Sequence, residues 1–275
     1  MKFGKFDLHI ISDGTFTLDG GQMFGVVPKA LWEKRIPADA RNRIRLGLVC
    51  LLIQTGRENI LVETGIGDKL DAKARDIYGI NHTQTLPEEL RKLGLKLTDI
   101  DIVINTHLHF DHCGWNVRRD GAKLVAAFPR ARYLIQRGEW EEAQRPNERN
   151  RASYLDYFFA AAEAQTTFLD GDTEVVPGVR VEVCPGHTRF MQSVRVESEG
   201  DTAYYPSDLV PTDSHLAYPW MTSFDLYPLE TLANKKRLLP ELAEARALIV
   251  FVHDAETPWA RLAKLEGKIS LQPVS

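Results

Sequence analysis

Residues 105–116 read NTHLHFDHCGWN, so three histidines and an aspartate crowd together directly after the apolar run Ile102, Val103 and Ile104. A short apolar run of that kind reads as a buried strand, which places His107, His109, Asp111 and His112 where a strand stops. One histidine in such a position is usually a satisfied core or surface residue; this many together need a common reason. On an extended segment residues two apart face the same way, so His107 and His109 can point at one ion, while Asp111 and His112, past the turn, can aim at a second. Completing two such sites requires distant residues. Three candidates each follow an apolar run: His187 in CPGHT, Asp208 in AYYPSD and His253 in LIVFVHD.

The rest of the pattern supplies a scaffold for such a cluster. FDLHIISDGTFTLDGG and IRLGLVCLLIQTGRENILVETG are rich in β-branched residues and broken by Asp-Gly and Thr-Gly turn signals, so the opening is strand-rich. LPEELRKLGL carries helical spacing with proline near its start and glycine near its end. RGEWEEAQRPNERNRASYLDYFFAAAEAQ reads as mostly helical, with RPNERNR as a break and a solvated charge run. Strands are expected in TEVVPGVRVEVCPGHT, SVRVESEG and DTAYYPSD, a helix in PLETLANKKRLLPELAEA, and a final buried strand in ALIVFVHD. Strands and helices alternate in each half, which predicts an α/β protein with sheets inside and helices outside. No repeat of 20 to 50 residues occurs. A single domain over residues 1–275 is expected, since 275 residues suffice for one large core.

Composition narrows the function. A net charge of -4 offers no broad basic field for nucleic acid. Asp7 and His9 interrupt the start where a secretory signal needs an apolar core, and no later run approaches the ~20 apolar residues of a membrane helix. The expectation is a cytoplasmic enzyme without membrane or nucleic-acid partners. Cys50, Cys113 and Cys184 contain no CxxC pair, which argues against a disulfide framework and a thiolate zinc site; Cys113 and Cys184 read as packing residues despite nearby histidines.

With these residues in view, the chain resembles the metallo-β-lactamase superfamily, whose HxHxDH signature matches His107, His109, Asp111 and His112. The resemblance spans the chain: LVETG at 61–65 resembles the family's strand-end acid-Thr-Gly, PGHT supplies the third histidine, Asp208 falls at the bridging acid and His253 at the last ligand. It implies a four-layer αβ/βα sandwich with two divalent metal ions along one edge of paired sheets. His107, His109 and His187 would hold the first ion, Asp111, His112 and His253 the second, and Asp208 would bridge them. Imidazole and carboxylate donors suit zinc best here, with iron, manganese or cobalt also accepted. Such a centre polarises a carbonyl or phosphoryl oxygen and lowers the pKa of bound water to roughly 7. Two departures matter. Glu63 replaces the usual aspartate, and Asp208 stands where one β-lactamase branch carries a cysteine, which argues against β-lactam hydrolysis.

Substrate choice must come from loops, and residues 20–32 (GGQMFGVVPKALW) and 215–227 (HLAYPWMTSFDLY) are unusually apolar and aromatic. Through them the chain is similar to quorum-quenching lactonases and methyl-parathion-hydrolase-like members. The expected activity is opening of N-acyl homoserine lactones or similar apolar lactones, with Asp111 and Asp208 at the reacting centre and Tyr218 or Tyr227 as an assisting phenol. An organophosphate triesterase or arylesterase is the nearest alternative. A glyoxalase-II-like thioesterase would want a basic cluster, and a redox member would carry iron. A homodimer is left open. Glu63, Thr106 and Asp254 lie beside ligand positions and are expected to hydrogen-bond the ligands' free N–H groups.

Overall fold

Strands that are apolar on both faces can only lie inside a stack, and several strands of this chain have that character. In Arg43–Gln54, Leu48, Cys50 and Leu52 enter one core while Val49, Leu51 and Ile53 enter another. In Ile102–Ile104 the central Val103 faces one way and its two neighbours the other. The computed structural model describes residues 1–265 and 267–274, and resolves this pattern into two seven-stranded sheets packed face to face.

The first sheet runs, in spatial order, Lys2–Phe3, Phe6–Asp19, Arg43–Gln54, Asn59–Val62, Ile102–Ile104, Arg132–Gln136 and Thr166–Leu169. Its last four strands are parallel to one another. The second runs Thr173–Val176, Val179–Val183, Gln192–Ser198, Asp201–Tyr205, Leu248–Val250, Trp259–Leu265 and Lys268–Gln272. Its one parallel pair, Asp201–Tyr205 with Leu248–Val250, is joined by a connection containing the helix Pro228–Glu244, as a parallel crossover demands.

Between the sheets lies an apolar core, to which Val49, Leu51, Ile60, Val62 and Ile104 contribute from one side and Val179, Val181, Val194, Val196 and Val250 from the other. Leu86 and Leu90 of the helix Leu86–Lys92, with Trp140 and Phe158, cover the outer face of the first sheet. Leu238, Leu239 and Leu242 of Pro228–Glu244 cover the second. The result is the four-layer αβ/βα sandwich of the metallo-beta-lactamase fold. No helix is long and apolar enough to cross a membrane among the described residues.

One expectation holds in part and another fails. Residues 137–165 are not α-helical throughout: α-helix covers Arg137–Gln144, RPNERNR breaks it as expected, and 3-10 helix covers Asp156–Phe158 and Ala160–Gln165. Pro146 ends the helix, and tertiary burial of Tyr154, Phe158, Phe159 and Ala162 overrides local propensity. Nor is ALIVFVHD the final strand, because the hairpin of Trp259–Leu265 and Lys268–Gln272 follows it. Its lysines and half-exposed residues blunt a sheet edge and erase the apolar signal of a strand.

Candidate metal centre

Every candidate ligand sits just past a strand end, on the edge where the two sheets meet. His107 to His112 follow Ile102–Ile104, His187 follows Val179–Val183, Asp208 follows Asp201–Tyr205, and His253 follows Leu248–Val250. Backbone hydrogen bonds close this edge: Gly47 N–H donates to His253 O at 2.9 Å and Gln192 N–H to Thr106 O at 2.9 Å. Two glycines let the loops approach. A Cβ on Gly114 would lie 2.0 Å from the Ile66 carbonyl carbon, and one on Gly186 would lie 2.8 Å from Thr231 Cα on the covering helix.

The side chains converge on Asp208. Its Oδ2 lies 3.1 Å from His187 Nε2, 3.5 Å from His112 Nε2 and 3.9 Å from His107 Nε2, and its Oδ1 lies 3.3 Å from His253 Nε2. Asp111 Oδ2 stands 3.5 Å from His253 Nε2 and 3.7 Å from His112 Nε2. His109 Nδ1 faces His187 Nε2 at 3.1 Å. Two clusters with metal-ligand spacing result, His107 with His109 and His187, and Asp111 with His112 and His253.

The far nitrogens of four imidazoles are held by acceptors. His107 Nδ1 lies 3.0 Å from Thr106 Oγ1, whose hydroxyl is bonded in turn to Glu63. His112 Nδ1 is 3.4 Å from Glu63 Oε1, His187 Nδ1 is 2.9 Å from Asp225 Oδ1, and His253 Nδ1 is 3.0 Å from Gly47 O. This wiring turns each Nε2 toward the centre, where those of His107 and His112 have no hydrogen-bond partner and that of His187 meets His109 Nδ1. Thr106 also contacts Ser207 Oγ at 2.7 Å. Glu63 and Ser207 adopt the left-handed region, with φ of 64° and 52°, conformations that cost energy outside glycine and are held here behind the ligands.

These donors fit cations. His107 Nε2, His109 Nε2, His112 Nε2 and Asp208 Oδ1 are buried without hydrogen-bond partners, which natural interiors rarely leave unexplained. Burial and the neighbouring imidazoles hold His107 and His109 well below the usual imidazole range, so both are neutral bases. Burial also opposes charge on Asp208, but His112, His187 and His253 outweigh it and hold the carboxyl well below its ordinary value. A third grouping, Glu63 with His107 and His112, runs through the back of the site and reflects those hydrogen bonds.

Other expected residues fall differently. Asp254 does not orient a ligand; its carboxylate accepts from the N–H groups of Asp213, Glu256 and Thr257. The missed partner is Asp225, buried in the second apolar loop, where only the aspartate's position in FDLY could have hinted at it. Tyr218 packs toward the core of the second sheet's outer face, and Tyr227 precedes the long helix, with its N–H on Gly186 O. Neither lines the cleft over the ligands. The phenol that does is Tyr78, packed at a tilt against Phe110 with ring centroids 4.9 Å apart.

That cleft has a volume of about 190 Å³ and is walled by Leu18, Met23, Tyr78, Phe110, Thr222 and Phe224. Both apolar loops therefore border it, but through few of their residues. Phe24 and Trp32 are fully buried and stacked at 5.4 Å, and Trp220 meets Phe24 edge-on at 5.5 Å. The run RPNERNR is not merely solvated, since Arg149 Nη2 donates to Ser223 O at 2.8 Å; directly after it, Ala152 and Ser153 complete the cleft wall. Cys50, Cys113 and Cys184 are buried free thiols.

Comparison with known proteins agrees with this geometry. The family model of the metallo-beta-lactamase superfamily matches residues 45–265. An N-acyl homoserine lactonase of Bacillus cereus is 30% identical over 231 residues, covering 78% of this chain and 84% of that protein. Among solved structures, a probable metal-dependent hydrolase from Staphylococcus aureus superposes with a TM-score of 0.93 at 31% identity, covering 100% of both chains. The dizinc quorum-quenching lactonase AidC shares the fold with a TM-score of 0.83 at 21% identity, covering 100% of this chain and 96% of that one.

Proposed function

The chain belongs to the metallo-beta-lactamase superfamily, and from that premise we propose that it is a lactonase opening N-acyl homoserine lactones or similarly apolar lactones. His107, His109 and His187 would hold one divalent ion, Asp111, His112 and His253 another, with Asp208 between them; zinc is the preferred ion for these donors. The observation that carries the substrate class is the wall of the cleft. Leu18, Met23, Phe110 and Phe224 stand directly over the ligand cluster, and the lining contains no lysine or arginine. A lactone with an acyl tail matches apolar walls ending in polar ligands. The relatives named N-acyl homoserine lactonase support the same reading.

When bound, two divalent ions supply an electrophile for the ring carbonyl and a water that is acidic near neutral pH. The chain's own residues do the rest. Asp225, Gly47, Glu63 and Thr106 fix the ligand imidazoles in one tautomer, so none has to reorient during turnover. Phe110, Phe224 and Met23 seat the acyl chain and exclude bulk water, turning the ring carbonyl toward Asp208. Tyr78 lines the same cleft, and burial together with the nearby Asp111 carboxylate raises its pKa, so the phenol keeps its proton. On this reading it would donate that proton to the leaving alkoxide oxygen.

The test is kcat/KM of the metal-loaded protein on hexanoyl and decanoyl homoserine lactones, an aryl phosphotriester and a glutathione thioester. Lactones should lead. Faster turnover of the phosphotriester would favour the triesterase, for which the same apolar cleft is suited. A thioester preference would point instead to Arg149, which lines an adjoining recess beside Phe224.

A further inference from the structure

Glu139, on the helix Arg137–Gln144, is fully buried, and its hydrogen-bond partners among the described residues are all uncharged. Its two oxygens are nevertheless fully used. Oε1 accepts from Leu108 N–H at 3.0 Å and from the Tyr154 hydroxyl at 2.8 Å, and Oε2 accepts from the Thr188 hydroxyl at 2.7 Å. Each of these partners touches the same group of ligands. Leu108 lies between His107 and His109, Thr188 follows His187, and the Tyr154 ring packs edge-on against the His109 imidazole with centroids 4.8 Å apart. None of the three contacts reaches Asp111, His112 or His253. A buried carboxylate without a cation is expensive, and burial raises its pKa above the ordinary carboxylate value. An apolar side chain of similar volume would serve core packing at lower cost.

We propose that Glu139 is a positioning residue for the first ion site. It ties the loop carrying His107 and His109 to the loop carrying His187, so that the three imidazoles from two different sheets meet at one point. The inference rests on the assignment of two metal sites given above. It predicts selectivity: loosening this tie weakens the ion held by His107, His109 and His187 and leaves the other ion unaffected. A residue that merely stabilised the core would lower both affinities or neither.

The experiment measures Zn2+ affinity by chelator competition in the full-length chain, with Glu139→Gln introduced into three backgrounds. In His253→Ala protein, which retains the first site, Glu139→Gln should weaken Zn2+ by roughly 10- to 100-fold, the usual effect of losing an orienting partner. In His187→Ala protein, which retains the second site, it should change nothing. In the otherwise native chain, one of two ions should be released faster. Should Glu139→Gln fail to fold, Thr188→Val and Tyr154→Phe each remove one contact and should reproduce the selective loss in part. Equal weakening in both single-site backgrounds, or no weakening in either, overturns the proposal. A native chain that binds fewer than two Zn2+ ions would instead overturn the two-site assignment, which separates the two failures.

Discussion

Asp208 places one oxygen within 3.5 Å of His187 and His112 and the other 3.3 Å from His253, so it faces both ligand groups at once. His187 serves only one group. Asp208→Ala should therefore lower binding of both ions, whereas His187→Ala should lose one and keep the other. Metal analysis after dialysis distinguishes them, and two retained ions in either variant would refute that residue's assignment. The orienting residues make a sharper contrast. Asp225 accepts from His187 Nδ1 and also from the Thr222 hydroxyl at 2.8 Å, so Asp225→Ala should cost roughly 10- to 100-fold in metal affinity or turnover. Asp254→Ala should leave metal affinity unchanged, because its bonds go to the backbone of Asp213, Glu256 and Thr257. Tyr78→Phe keeps the ring on Phe110 and removes only the hydroxyl. If the phenol donates a proton in turnover, kcat should fall by roughly 100-fold or more with KM little changed, and an unaltered kcat would exclude that role.

The loop of residues 215–227 does more than wall the cleft, since it carries Asp225 and Phe224 and is itself held from behind by Lys235. That lysine is buried on the inner face of Pro228–Glu244, and its Nζ donates to Ala217 O at 2.7 Å, Trp220 O at 2.9 Å and Tyr218 O at 3.4 Å. Burial pushes its pKa from 10.5 down to about 7, with Asp225 opposing the shift. The folded-state value lies below the unfolded one, so the unfolded chain binds the extra proton between about pH 7 and 10.5, and this lysine's contribution to stability rises with pH through that window. Thermal midpoints of Lys235→Met should rise less from pH 7 to 10 than those of the native chain; parallel curves would show that the ammonium is not desolvated. On the cleft side, Phe224→Ala should reduce kcat/KM more for long acyl chains than for short ones, at about 0.8 kcal/mol per CH2 that loses its contact. Trp220 backs Phe24 and does not line the cleft, so Trp220→Ala should lower all chain lengths alike. Which loops border the site was legible from their composition and, for residues 215–227, from their place after Asp208. Which side chains face the substrate was not, because Phe24, Trp32 and Phe224 look alike until packing separates them. The 3-10 turns after Gln144 and the Trp259–Gln272 hairpin were likewise hidden, the first by tertiary override of helical spacing and the second by its exposed edge.

Across the molecule the ligands divide by sheet: His107, His109, Asp111 and His112 come from the first, and His187, Asp208 and His253 from the second. That these residues come together was legible because each stands just after a buried apolar run. Their supports, Gly47 O, Asp225 and Glu139, were not, because a backbone carbonyl or a lone acid acquires its role only when distant segments meet. On the assignment proposed above, each ion would be a clasp between the sheets. Away from the centre the sheets are joined by the apolar core and by the Tyr205 hydroxyl, which donates to Val49 O at 2.6 Å. At the centre, buried imidazoles and carboxylates face one another with few direct bonds. Ions that bind only the folded chain add stability of roughly 2.7 kcal/mol per site at a free concentration of 100 Kd. For two sites this is roughly 5 kcal/mol, and at about 2–4 °C per kcal/mol for a protein approaching this size, chelation should lower the thermal midpoint by roughly 10–20 °C. The loss should be local before it is global. In amide hydrogen exchange, the joint made by Gly47 N–H on His253 O and Gln192 N–H on Thr106 O should lose protection on chelation. The strands around Val181, Val194 and Leu51 should keep theirs. Chelated protein with an unchanged midpoint and a protected joint would mean that the sheets hold the ligand array without the ions, leaving the metal a role in chemistry alone.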